Sequence, residues 1–372
     1  MGPTAPPDTA VRSTDAAAYR VPLPERESDA TLTWGATTMV VVRVDIGEAQ
    51  GLGYTYADAT CADYARRVLG AAVHGGDGLD VPAAWDAMRR AVRNDGRPGL
   101  VSCAMSAVET ALWDAAARAH GIALCRMFGR VRRAVPVYAS GGFTGPEPLR
   151  AAERAGWWAQ ELGAHAVKIK IGGTPETGPE DPDPARIERA REAAGGAQVY
   201  ADANGAYGAK RALRAGAVLD ALGVAWFEEP VSSDDLDGLR RVRDGVRADV
   251  TAGEYGYHLP YLARMAGAGA VDCLQADVTR CGGFGTWFRA AAAAAGNGLA
   301  VSAHCAPALA VHAAVATHNV RHIEWFADHE RVESALLDGA PRPVEGDLAP
   351  DPSAPGHGMR LKAADAERYR VG

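Results

Sequence analysis

From residue 135 onward, short apolar runs rich in β-branched residues alternate with amphipathic stretches of helical period. The runs fall at 135–143, 166–171, 198–204, 225–229, 249–254, 273–278, 300–304 and 322–326, with helical stretches such as 184–194 and 210–222 between them. Eight strands in this rhythm predict a closed (β/α)7β barrel of TIM type, whose functional side chains sit at the C-terminal strand ends. An open doubly wound sheet is the competing architecture, but its glycine-rich dinucleotide fingerprint is absent. Gly282-Gly283-Phe284-Gly285 after the sixth strand is a weak phosphate-binding signal.

The first third has a different texture. A β-branched run at 37–46 and a hairpin partner at 51–56 precede helical stretches at 62–73, 82–92 and 102–120. Strands followed by helices predict a separate α+β capping domain over 19–134, with the barrel over 135–335. Residues 336–372 carry turn signals at Pro341, Pro343, Pro350 and Pro355 and are expected to pack back and complete the capping domain. Residues 1–18, rich in Pro, Thr, Asp and Ala, read as a flexible tail.

At 372 residues the chain has room for a barrel and a smaller domain, and its 48% hydrophobic and 23% charged content is that of a globular protein. A net charge of −7 argues against a nucleic-acid or anionic-membrane partner. No apolar run reaches the length of a membrane helix. The N-terminus shows no secretory pattern, and the six cysteines form no Cys-x-x-Cys pair, so a cytoplasmic location is expected. Cys305 follows His304, but neighbours on a strand face opposite sides, so all six thiols read as buried and inert.

Three carboxylates close successive strands at equal intervals: Asp202, Glu228 and Glu254, with 228 − 202 = 26 and 254 − 228 = 26. That interval is about one strand plus one crossover helix, which sets the acids level on neighbouring parallel strands. Converging carboxylates repel one another unless a cation holds them, and hard oxygen ligands of this kind suit Mg²⁺. One strand-end acid is ordinarily chance; three in register favour a metal site.

Lys168 and Lys170, two apart in Val-Lys-Ile-Lys-Ile, share a face and point into the barrel. Two cations this close, next to a divalent metal, are expected to lower each other's proton affinity and bring one lysine into base range near neutral pH. Opposite them, Asp277 and His304 end the sixth and seventh strands. A lone strand-end histidine is more often structural, but an aspartate partner fixes its tautomer and makes it a second acid/base group. Glu324 ends the eighth strand as a hydrogen-bond partner for substrate.

Lys168-Ile169-Lys170, Asp202-Ala203-Asn204, Glu228-Glu229-Pro230, Gly253-Glu254, Asp277 with Arg280-Cys281-Gly282-Gly283, and His304 before Glu324 together resemble the mandelate racemase subgroup of the enolase superfamily. The resemblance covers essentially all of 19–372. It implies a shared first step, in which Mg²⁺ binds the substrate carboxylate, a base removes the α-proton, and the enediolate is stabilised by the metal and a lysine. By position, Lys170 and His304 resemble the family's bases on opposite faces, with Asp277 orienting His304. Lys168 and Glu324 resemble groups that contact the substrate carboxylate, and Asp202, Glu228 and Glu254 the metal ligands. Asn204, Arg280, Trp34, Tyr54 and Tyr56 are expected to meet substrate, the last three from loops that close over the barrel mouth.

The first of those loops, 24–34, is polar, which suits a polyhydroxylated acid. The expected reaction is dehydration of an acid sugar to a 2-keto-3-deoxy acid, with His304 protonating the departing hydroxide. Racemisation or epimerisation of a hydroxy acid, and cycloisomerisation, use the same first step and stay open. A catalytically inactive barrel acting as a binding protein is the reading from a different class. The partner is a small carboxylate, and a homo-oligomer is expected.

Overall fold

Val11–Ser28 (β1), Thr33–Ile46 (β2) and Ala49–Tyr56 (β3) form an antiparallel sheet in the computed structural model, which describes residues 8–144, 148–172 and 183–372. Side chains alternate across β2. Val40, Val42 and Val44 pack with Ala104, Ala107, Val108 and Ala111 of the helix Leu100–Ala119, whereas Met39 and Val41 join the core shared with the barrel. Burial on both faces is why this run is apolar without alternation. Arg370–Val371 pairs antiparallel with β1 at Ala18 and Tyr19, so the C-terminal segment adds the sheet's fourth strand.

Two expectations fail here. Residues 11–18 are not a tail, because β1 starts at Val11 and its Val11, Ala16 and Ala18 are buried in the capping core. Ala16, Ala17 and Ala18 pair with Val42, Val41 and Val40 of β2, while the polar Asp15 faces outward to Arg43 at 2.5 Å. Residues 1–7 of the expected tail lie outside the described residues. The polar stretch 24–34 is not an open loop either: β1 and β2 run through most of it as a hairpin, pairing Glu27 with Trp34 after a register shift.

All eight expected barrel strands are present: Val135–Gly142 (β4), Ala166–Lys170 (β5), Gln198–Asp202 (β6), Trp226–Glu228 (β7), Asp249–Ala252 (β8), Cys273–Ala276 (β9), Ala300–Ala303 (β10) and Val320–Phe326 (β11). Each pairs in parallel with the next, and β11 pairs with β4 to close the barrel. Alternation then sorts the inward side chains into layers. Tyr138, Tyr200, Trp226 and His322 form a buried aromatic floor, with Tyr200 stacked on Trp226 at 5.2 Å. Two residues further along the same strands stand Ser140, Asp202, Glu228 and Glu324, one layer nearer the C-terminal mouth. Among the described residues, no helix is long and apolar enough to cross a membrane.

Candidate active site

Register places the acids. Lys170 is opposite Asp202, and Asp202 opposite Glu228, across β5, β6 and β7. Glu228 is opposite Thr251, so Glu254 lies beyond the end of β8 and does not close it as the sequence suggested. Gly253, at φ 134°, makes the turn that brings Glu254 back to the mouth; a Cβ there would stand 2.1 Å from the Gln275 carbonyl oxygen. Oxygens of Asp202, Glu228 and Glu254 all lie within 4.8 Å of one another, and all three residues are buried.

This donor set fits magnesium: three hard oxygens at one point, too few to fill six sites, leaving room for water and substrate. Without a divalent charge the same burial works against ionisation. It pushes the Glu228 carboxyl up to about 8 despite Lys168, and holds Glu229 well above the carboxylate range. Trp226 in the floor orients Glu228 by donating Nε1–H to Oε2 at 2.9 Å.

Both lysines are buried among these acids. Lys168 Nζ contacts Glu228 and lies 2.9 Å from Glu324 Oε1 and 3.4 Å from Asp202 Oδ2; Lys170 Nζ lies 2.5 Å from Asp202 Oδ2. Burial opposes each charge. Glu228 and Glu324 around Lys168, and Asp202 beside Lys170, more than offset it and hold both ammonium groups above the usual lysine range. Lys168 pushes Lys170 down, but without a divalent cation among them the carboxylates outweigh that repulsion.

His304 and Asp277 meet as expected, with Nδ1 2.8 Å from Asp277 Oδ2. Burial disfavours the imidazolium, but Glu254, Asp277 and Glu324 outweigh it and raise His304 above its ordinary range. Strand order sets this pair apart from the lysines: β10 is reached from β5 through β4 and β11 on one side, and through β6 to β9 on the other. Arg280 links the two groups, its Nη1 3.2 Å from Glu254 Oε1 and its Nε 3.6 Å from Asp277 Oδ2.

The thiol of Cys305 departs from expectation. β10 ends at Ala303, and Cys305 takes a left-handed φ of 49°, so its side chain does not alternate away from His304. Sγ lies 3.3 Å from His304 Nε2 and 3.4 Å from Glu324 Oε2. All six cysteines are free and buried, as the sequence suggested.

The expected substrate contacts are placed as follows. Asn204, at φ 44°, donates its backbone N–H to Asp202 Oδ1 and leaves its side-chain oxygen buried without a partner among the described residues. Ser140 Oγ and Glu229 Oε1 are buried and unpartnered in the same sense. Trp34 packs edge-on against Phe143 at 5.3 Å. Tyr54 turns its hydroxyl to Glu333 Oε1 at 2.6 Å, and Tyr56 stacks on His329. The polar residues of the hairpin fasten it to the barrel: Glu27 to Arg154 at 3.3 Å, Ser28 to Thr144 at 3.0 Å, and Thr37 to Asp328.

Sequence reading missed Glu229 and the cavity beside it, about 520 Å³, lined by Asn204, Glu229, Ser232, Tyr255 and His258 among others. The signal was the second acid of Glu228-Glu229, whose left-handed φ of 37° turns it off the strand. The weak phosphate signal is overturned. The amides of Phe284 and Gly285 donate to Glu109 at 2.8 Å each, so a carboxylate already occupies that helix N-terminus. Gly283 is required there, since a Cβ would stand 2.1 Å from Glu109 Oε2.

Residues 150–366 match the family model described as enolase C-terminal domain-like, and residues 14–129 that of the mandelate racemase / muconate lactonizing enzyme N-terminal domain. The 3,6-anhydro-alpha-L-galactonate cycloisomerase of Streptomyces coelicolor is 31% identical over 363 residues, covering 95% of this chain and 98% of that enzyme. The L-rhamnonate dehydratase of Saccharopolyspora erythraea is 29% identical over 338 residues, covering 87% and 83%. Among solved structures, a mandelate racemase/muconate lactonizing enzyme-like protein from Rubrobacter xylanophilus is 44% identical, with a TM-score of 0.93 over 97% of this chain and 100% of that one. A racemase from Streptomyces coelicolor with bound magnesium is 28% identical, with a TM-score of 0.90 and the same coverage.

Proposed function

The chain belongs to the mandelate racemase/muconate lactonizing enzyme family of the enolase superfamily, and from that premise we propose that it eliminates the β-oxygen of an acid sugar after removing the α-proton. The observation that supports this most is the convergence of the Asp202–Glu228–Glu254 cluster with Lys168 and Lys170 from β5 and the Asp277–His304 pair from β9 and β10. Such a mouth carries a site for a carboxylate and acid/base groups on two sides of it.

Asp202, Glu228 and Glu254 would hold magnesium, which supplies a fixed positive charge for the developing enediolate. Lys168, anchored between Glu228 and Glu324, places a second positive charge where the substrate carboxylate enters. With a divalent charge offsetting the carboxylates that raise it, Lys170 would shed its ammonium proton and take the α-proton, and His304, whose acidic neighbours favour the imidazolium, would give a proton to the leaving oxygen. Asp277 fixes the His304 tautomer. Asn204 and Arg280 then line the metal side of the site.

The substrate class rests on unpaired polar atoms rather than on the hairpin, whose polar residues are used in docking. Ser140 Oγ, Asn204 Oδ1 and Glu229 Oε1 are buried acceptors without partners among the described residues, and the hydroxyls of a polyol acid would satisfy them. A free β-hydroxyl as leaving group makes the net reaction a dehydration to a 2-keto-3-deoxy acid. Cycloisomerisation is the second reading, favoured by the relative that acts on a 3,6-anhydro acid. If the β-oxygen belongs to such a ring, the same elimination opens the ring and no water is lost. Incubating the magnesium-loaded protein with a panel of free and anhydro acid sugars tests both, by 2-keto acid formation. Stereoinversion at the α-carbon with no keto product would sink the elimination and leave racemisation.

A further inference from the structure

The mouth of the barrel holds a second ligand set whose chemistry differs from the oxygen cluster. His304 Nε2, Cys305 Sγ and Glu324 Oε2 converge there, and all three residues are buried. Their separations are 3.3 Å from sulfur to nitrogen, 3.4 Å from sulfur to oxygen and 3.7 Å from nitrogen to oxygen. Ligands bonded at ~2.0–2.3 Å around one tetrahedral ion stand roughly 3.3–3.7 Å from each other, so the three atoms already span one face of such a site.

Three further features fit the same ion. The other nitrogen of His304 is held by Asp277 at 2.8 Å, the carboxylate–histidine support that orients metal-binding imidazoles. Glu324 gives Oε1 to Lys168 at 2.9 Å, which leaves Oε2 directed at the thiol. Left-handed backbone at Cys305 and Ala306, φ 49° and 42°, keeps the sulfur beside His304 where an ordinary strand would carry it away. Glu254 Oε2 also lies 3.4 Å from Nε2, and its residue belongs to the oxygen cluster, so the set takes three protein ligands.

We propose that His304, Cys305 and Glu324 bind a thiophilic divalent cation of the zinc type, and that its binding stops turnover by occupying the nitrogen of His304. Thiolate and imidazole select zinc or cobalt over magnesium, while the oxygen triad keeps its preference for the harder ion. On binding, the thiol proton and the imidazolium proton pass to solvent, and the ion meets one thiolate, one neutral imidazole and one carboxylate. The inhibition rests on the proton-transfer role proposed for His304; the binding does not.

The test separates the two. Full-length protein saturated with Mg²⁺ is titrated with Co²⁺, and the thiolate-to-cobalt charge-transfer band in the near ultraviolet is recorded without substrate. The expected result is a band that saturates at one equivalent and disappears on adding Zn²⁺. Cys305→Ser and Cys305→Ala, each checked for native melting, should lose the band. With an active substrate, both variants should keep basal turnover and need at least about tenfold more Zn²⁺ for half inhibition. A wild-type protein without the band, or a variant that retains it, overturns the site. A normal band with turnover insensitive to Zn²⁺ overturns the inhibition alone.

Discussion

His304 Nδ1 lies 2.8 Å from Asp277 Oδ2, and the other oxygen of Asp277 accepts from the Thr279 amide at 2.7 Å and its hydroxyl at 2.6 Å. The histidine is thus held from behind by a carboxylate that cannot rotate freely. Asp277→Asn keeps the shape but presents the wrong hydrogen-bonding group to Nδ1. Turnover should fall by about 10²–10⁴-fold. Magnesium affinity, read by calorimetric titration, should stay within about twofold, since Asp277 is outside the oxygen cluster; a parallel loss of metal binding would mean a structural role instead.

Lys170 and His304 approach from different strands, so their losses should differ in kind. Lys170→Met and His304→Asn should each reduce overall turnover by about 10²–10⁴-fold while leaving magnesium binding intact. In deuterated water, the variant lacking His304 should still exchange the α-proton of one substrate stereoisomer, and the variant lacking Lys170 should not. Near-normal turnover in both would place the acid/base chemistry elsewhere.

Much of this site was legible because β-strands have a period of two. Lys168 and Lys170, and Asp202 with Glu228, each follow from alternation and from strand spacing, and the structure places them in one buried cluster. What alternation could not give is whatever lies past a strand end. Glu254 reaches the cluster through the turn at Gly253, and Cys305 faces inward through a left-handed residue, so neither follows strand rules. Long-range packing was equally hidden. The polarity of 24–34 read as a substrate lid, whereas Glu27 and Ser28 bond the barrel. Alanines 16–18 read as tail, because only their pairing with the β2 valines marks them as strand. The closed eight-strand barrel itself was readable, since each strand carries its own apolar run.

Gly253 should tolerate no side chain. Its φ of 134° and a Cβ position 2.1 Å from the Gln275 carbonyl leave no room, so Gly253→Ala must shift the turn that carries Glu254. Magnesium affinity should drop by about tenfold or more, and the thermal midpoint should fall with it. Unchanged affinity would show that Glu254 is not held in place by this turn.

Glu333 gives stability a pH signature away from the metal cluster. Burial raises its carboxyl to about 8, opposed by the Tyr54 hydroxyl that donates to it. A folded-state value above the unfolded one means that the protonated form is favoured on folding. The stability this confers is complete below the unfolded value, about 4.5 for a glutamate, and is lost as pH rises to about 8. Glu333→Gln removes the titration. Relative to wild type, the variant should become more stable by a few kcal/mol between pH 5 and about 8.5, since each pH unit separating the folded and unfolded values is worth ~1.4 kcal/mol. Denaturant titrations at the two pH values measure this; a pH-independent difference would contradict the raised carboxyl.

The most direct measurement of the whole account is proton NMR of acid sugars incubated with the protein in deuterated water, once with Mg²⁺ and once with excess chelator. With the metal, at least one polyhydroxy or anhydro acid should lose its α-proton and accumulate as a 2-keto-3-deoxy acid carrying deuterium at C3, and with the chelator the signal should persist unchanged. Full conversion in the presence of chelator, or neither exchange nor product from any acid with magnesium bound, would contradict the account.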